Sequence, residues 1–101
     1  MPLSKTAKGT RNEKRCEDAL KADGYETWRV RRTKFGNMDA FGLFDIIGWQ
    51  RRSKRMRFIQ VKSNRVDRKT LNEMSKAQWD MPDHCSAEVW VWIDRRGWRK
   101  Y

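Results

Sequence analysis

Residues 44–63 read FDIIGWQRRSKRMRFIQVKS. Two β-branched and aromatic runs flank a polar break from Gln50 to Arg55, which is the pattern of a β-hairpin. With the turn centred between Arg52 and Ser53, Trp49 faces Met56, Ile47 faces Phe58 and Asp45 faces Gln60. Opposed residues lie roughly 5 Å apart at Cβ, and Lys62, two positions on, points to the same side as Gln60. A carboxylate, an amide oxygen and an ammonium therefore share one end of one face. A one-residue slip would turn every side chain over, so the same pairing constrains both the fold and the site.

The flanking segments supply the rest of a small domain. Residues 1–9 are small, polar and basic and read as a flexible basic arm, leaving 10–101 as a single domain. Thr10 followed by Glu13 is a capping-box pattern that predicts a helix to about Asp23, stopped by Gly24. Its buried stripe is Cys16, Ala19 and Leu20, with Glu13 on the same stripe. Residues 25–32 alternate as a strand, 33–42 read as a loop, and Asp67 caps a second helix from about Arg68 to Met81. AEVWVWI, 87–93, is the strongest strand signal, followed by the turn DRRG and a short strand, 98–101. The expected class is α/β (α+β), a mixed central β-sheet flanked by helices in the order αβββαβ(β).

Charge narrows the partner. The chain carries 24 Lys and Arg against 13 Asp and Glu, a net +11. Clustered cations bind polyanions by neutralising phosphates and releasing counterions, and no segment has the apolar length of a membrane span or a signal core. Nucleic acid is the expected partner. Cys16 and Cys85 are the chain's two cysteines, far apart, which argues against a disulfide scaffold or zinc finger and for an intracellular setting, cytoplasmic or nucleoid-associated. His84 lacks the companions a zinc site needs.

The polar residues inside the apolar runs carry the chemistry. Phosphodiester hydrolysis needs a hard divalent cation held by oxygens and a cation nearby to orient water or offset developing charge. Glu13, Asp45, Gln60 and Lys62 supply those parts. Alternatively, Asp45 and Gln60 are a cross-strand hydrogen-bonded pair, Lys62 a solvated strand end and Glu13 the partner of Thr10. A polar pair within apolar strands costs about 1 to 3 kcal/mol per unsatisfied group, so something must compensate.

KGTRNE opening a helix, FDIIG in a strand and FIQVKS in the next resemble the PD-(D/E)XK nuclease core, especially archaeal-type Holliday junction resolvases. The closing helix and VWVWIDRRGWR extend the resemblance over most of the chain. It implies a restriction-endonuclease-like fold with Glu13 as the helix carboxylate, Asp45 as central metal ligand, Gln60 as second ligand and Lys62 as the catalytic lysine. A backbone carbonyl such as that of Val61 would be a further ligand. Phe44 stands where the signature has Pro, and Gln60 replaces the usual acidic residue, in a Q-x-K similar to that of VRR-type nucleases. The implied activity is a Mg²⁺-dependent endonuclease, with Mn²⁺ as substitute, acting on DNA and most naturally resolving four-way junctions as a homodimer, since two symmetric cuts need two sites. The rivals are a flap, nick or single-strand nuclease on the same core and a non-catalytic nucleic-acid-binding module.

Expected DNA contacts are Lys8, Arg11 and Lys14 at the first helix, Arg29, Arg31, Arg32 and Lys34 on the first strand and loop, and Arg51, Arg52, Lys54 and Arg55 in the hairpin turn. Such cations also serve solubility. The six tryptophans suit core packing, a subunit interface or stacking on bases.

Overall fold

The hairpin forms in the expected register, with Ile47 opposite Phe58 and Trp49 opposite Met56. The computed structural model describes residues 5–30 and 44–101, with side-chain surroundings from residue 9 onward. Its elements are α1 (Lys5–Ala22), β1 (Glu26–Arg29), β2 (Ile46–Gln50), β3 (Arg55–Ser63), α2 (Arg68–Asp80), β4 (Cys85–Ile93) and β5 (Gly97–Lys100). The five strands lie side by side in chain order. All neighbours are antiparallel except β3 and β4, which run parallel. A parallel pair needs a crossover, and α2 provides it.

Local chemistry sets most boundaries. Asp67 caps α2 by accepting the Thr70 amide at 2.8 Å. At the end of α1, Gly24 takes φ +86°, its amide bonds Lys21 O and the Tyr25 amide bonds Leu20 O, each at 3.0 Å. This is a Schellman stop, which needs a left-handed residue where Gly carries no steric penalty. The start of α1 differs from expectation. It begins at Lys5, so the Thr10 and Glu13 pair lies inside the helix and five residues read as arm, 5–9, are helical. Lys5, Ala7 and Lys8 have high helix propensity, which extends the helix past an internal Thr-x-x-Glu pattern. Residues 1–4 and the loop read over 33–42 lie outside the described residues.

A helix packs on each face of the sheet. On one, Cys16 and Leu20 of α1 meet Ile46, Ile59 and Trp90. Gly48 lies beneath this helix, where a Cβ would come within 3.2 Å of Leu20 Cδ1. On the other face, Met74 of α2 packs with Phe44, Phe58, Val89 and Val91. Both faces of β4 thus receive a helix, Trp90 on the α1 side and Val89 and Val91 on the α2 side. Trp98 of β5 stands edge-on to both Trp90 and Trp92.

The start of β2 departs from regular pleating. Phe44 and Ile47 pack on the α2 face, whereas Ile46 packs on the α1 face. Strict alternation would put Phe44 and Ile46 together. The discrepancy is resolved at Asp45, whose amide donates to Ile59 O at 2.9 Å although Ile46 already stands opposite Ile59. Two residues oppose one, a β-bulge, and bulges re-aim side chains beside functional sites. The ladder pairs therefore end at Ile46, and the expected pairing of Asp45 with Gln60 is not made.

Candidate active site

Freed from the ladder, the Asp45 carboxylate accepts the backbone amide of Val61 at 2.9 Å. It reaches the main chain between Gln60 and Lys62. Gln60 pairs in register with Val89 and Lys62 with Val91, both α2-face residues, so Gln60 and Lys62 project on the α2 side. The Gln60 Oε1 atom is buried and has no hydrogen-bond partner among the described residues. An unsatisfied buried acceptor of this kind costs about 1 to 3 kcal/mol.

Lys62 borders a cavity of about 580 Å³ that also contains Ser63, Arg65, Asp67 and Thr70. Hydrogen bonds from Thr70, and to a smaller degree the Lys62 charge, hold the Asp67 carboxyl below its usual range. The ammonium therefore sits between the Gln60 end of β3 and the N-terminus of α2.

Glu13 arrives on α1. Its neighbour Asn12 is only 2% exposed and donates to Ser63 Oγ at 2.6 Å. Arg15 donates to Asn12 Oδ1 at 2.8 Å and lies 4.2 Å from the Trp92 ring centre. The turn carrying Glu13 is thus fastened to the end of β3 that carries Lys62. Glu13 and Lys62 approach that end from opposite faces, with Asp45 bound to the strand edge between them.

The described residues contain no cluster of three or more His, Cys, Asp or Glu able to hold a metal. The expected set has two carboxylates, with Gln60 supplying a neutral third oxygen. A buried amide oxygen with no partner among the described residues, one residue along β3 from the amide that holds the Asp45 carboxylate, fits a hard divalent ion, which takes oxygen donors of either charge.

The basic residues differ in what already engages them. Arg29 is bound to Glu17, Lys14 pairs with Asp18 at 3.7 Å, and Arg51 pairs with Glu26 at 3.4 Å. Arg11, Arg52, Lys54 and Arg55 are exposed. Arg31, Arg32 and Lys34, and the side chain of Lys8, lie outside the described residues.

Sequence reasoning missed a second polar centre. Glu88 receives Arg57 through two bonds, 2.7 and 2.5 Å, together with Ser86 Oγ at 2.7 Å and Trp90 Nε1 at 3.0 Å. Burial pushes its carboxyl upward, but these donors outweigh that effect and leave it below the usual range. The same buried layer pushes the Cys16 thiol up to about 12, burial being the main cause. The signal was available in parity: Arg57 and Glu88 fall on the same face as Ile59 and Trp90, where a lone charge would be costly.

No family model and no curated protein matches the chain. Among solved structures it is similar to Hjc, a Holliday junction resolvase from the archaeal hyperthermophile Archaeoglobus fulgidus. The TM-score is 0.64, with 21% sequence identity over 93% of this chain and 71% of that one. The likeness shows the fold: the mixed five-stranded sheet and two helices of the described residues have the restriction-endonuclease-like α+β arrangement expected from the sequence. No helix among the described residues is long and apolar enough to cross a membrane.

Proposed function

We propose that the protein is a metal-dependent, structure-specific DNA endonuclease that resolves four-way junctions, working as an intracellular homodimer from a single nuclease domain. The observation that carries this reading is the polar end of β3: Gln60 Oε1 is buried without a partner among the described residues, and the Asp45 carboxylate is bound to the amide of the next residue, Val61. Its occurrence in a fold shared with a junction resolvase supports the choice of substrate.

Asp45, Gln60 and Glu13 would hold Mg²⁺, or Mn²⁺ in its place, with the Val61 carbonyl as a further ligand. When bound, the ion polarises the phosphodiester and makes water a better nucleophile near neutral pH. Asp45 is held by the Val61 amide, so its carboxylate is oriented before substrate arrives. Lys62 donates toward the attacking water or the phosphate oxygens, opposing the negative charge that grows there. The surrounding cations neutralise flanking phosphates and set the strand's position.

The test is incubation of four-way junction, flap, nicked and intact duplex substrates with Mg²⁺ and with EDTA. Paired symmetric cuts in the junction, abolished by EDTA, are expected. Preferential cutting of flaps or nicks would move the enzyme to another substrate class, and no cutting at all would leave a binding module.

A further inference from the structure

Trp28 is 65% exposed and Trp49 is 40% exposed, unlike the buried Trp90. Trp28 stands opposite Ile47, while Trp49 stands opposite Met56 on its other side, so all four project from one face of adjacent strands. That is the face α2 covers farther along, over β4. Among the described residues no helix covers its β1–β2 end. There Trp28, Ile47, Trp49 and Met56 line a depression of about 500 Å³ with Glu26 and Thr27.

A second depression shares Trp49 and Met56 and continues to Arg51, Ser53, Lys54 and His84. The apolar face therefore runs directly into the basic turn. Lys54 holds that turn with φ +59°, and the Arg51 guanidinium lies 5.0 Å from the Trp49 ring centre. Glu26 partly offsets Arg51, but both are well exposed, so the pair is weak and screened by salt. Arg52, Lys54 and Arg55 add exposed positive charge.

Charge selects the occupant. A second copy meeting this face would bring two Arg51–Arg55 turns together in a protein of net charge +11, and like charges at an interface are costly. An intact duplex keeps its bases stacked inside and offers the indoles nothing to cover. Unpaired nucleotides present π-faces to aromatic rings and phosphates to cations at once. We infer that the Trp28–Trp49 face is a stacking platform for the unpaired bases of single-stranded nucleic acid, with the Arg51–Arg55 turn holding the phosphates. The platform shares only its polymer class with the proposed nuclease site, and its binding needs no metal.

Fluorescence anisotropy of labelled oligo-dT and of a blunt duplex of equal length, both in EDTA, tests the inference apart from cleavage. Trp28→Ala and Trp49→Ala should each weaken oligo-dT binding roughly tenfold while leaving duplex binding and the salt slope unchanged. Trp28→Phe and Trp49→Phe should retain most of the affinity. Lys54→Ala should instead reduce the salt slope by about 1. Thermal melts identify any variant that fails to fold, and if Trp49→Ala does so, the more exposed Trp28 decides. Unchanged oligo-dT affinity in the Trp28 variants overturns the inference, as does an equal loss on duplex. A dimer that becomes monomeric in Trp28→Ala without loss of oligo-dT binding would assign the face to a second copy instead.

Discussion

An amide at position 60 can lend an oxygen to a divalent ion but no charge, so metal held by this set depends on Asp45, Glu13 and the substrate phosphate. Free protein should accordingly bind Mn²⁺ weakly in calorimetric titration. Gln60→Glu should tighten that binding and preserve some cleavage, whereas Gln60→Ala should lose most of both; wild-type cutting by Gln60→Ala would reduce Gln60 to a packing residue. Asp45→Asn keeps an oxygen facing the Val61 amide yet removes the carboxylate charge. It should abolish cleavage while junction affinity in gel shifts stays the same or rises slightly. These residues were legible because each interrupts an apolar run. Their geometry was not, since a period of two places Asp45 opposite Gln60, whereas the Asp45 amide on Ile59 O and the packing of Phe44 against Phe58 at 5.5 Å reveal the additional residue.

Helices and strands were legible where a local cue and the burial pattern agree, as at Gly24 and Asp67. The start of α1 was not, because a capping-box pattern records a favourable local bond without forcing the chain to leave the helix. Between strands, Arg57 and Glu88 are only 17% and 16% exposed, and Arg57 also lies 5.3 Å from the ring centres of both Tyr25 and Trp90. Removing one partner leaves a charge in a poorly hydrated layer, so Glu88→Gln should cost roughly 3 kcal/mol. Because the folded Glu88 carboxyl lies below its ordinary value of 4.5, its contribution is complete above that pH. It is lost as pH falls through the lower folded value. Urea titrations from pH 7 to pH 3 should therefore show a shallower acid decline in Glu88→Gln than in wild type; parallel declines would place the acid sensitivity elsewhere.

Across the whole molecule, the excess of positive charge predicts association with DNA that weakens steeply with salt, with several phosphates neutralised. Anisotropy titrations at stepwise NaCl concentrations measure the slope, and a flat line would leave the charge to solubility. Paired cutting also requires two sites, so sedimentation at micromolar concentration should return twice the chain mass; a monomer both alone and with junction DNA would favour flap or nick cleavage. The mixed sheet flanked by helices and the β2–β3 hairpin were legible from alternation and turn signals, whereas the parallel seam of β3 with β4 came only with the structure. The Trp28 end, which no helix covers among the described residues, was not legible, because six tryptophans look alike in sequence until helix placement divides them into interior and surface.

The parallel seam between β3 and β4 also governs the order in which the chain can fold. The β2–β3 and β4–β5 pairs close over short turns, but Met56 meets Cys85 only after the intervening α2 segment has been gathered in. Docking of the β4–β5 hairpin onto β3 should therefore limit refolding, since chain entropy is lost before these distant contacts repay it. In stopped-flow experiments Val89→Ala should slow refolding, whereas shortening exposed side chains in the Arg51–Lys54 turn should leave that rate nearly unchanged. The register that places Gln60 beside Val89 would then be selected late, by the same event that joins Arg57 to Glu88, and a nascent chain would acquire its β2–β3 hairpin well before it acquired a cutting site.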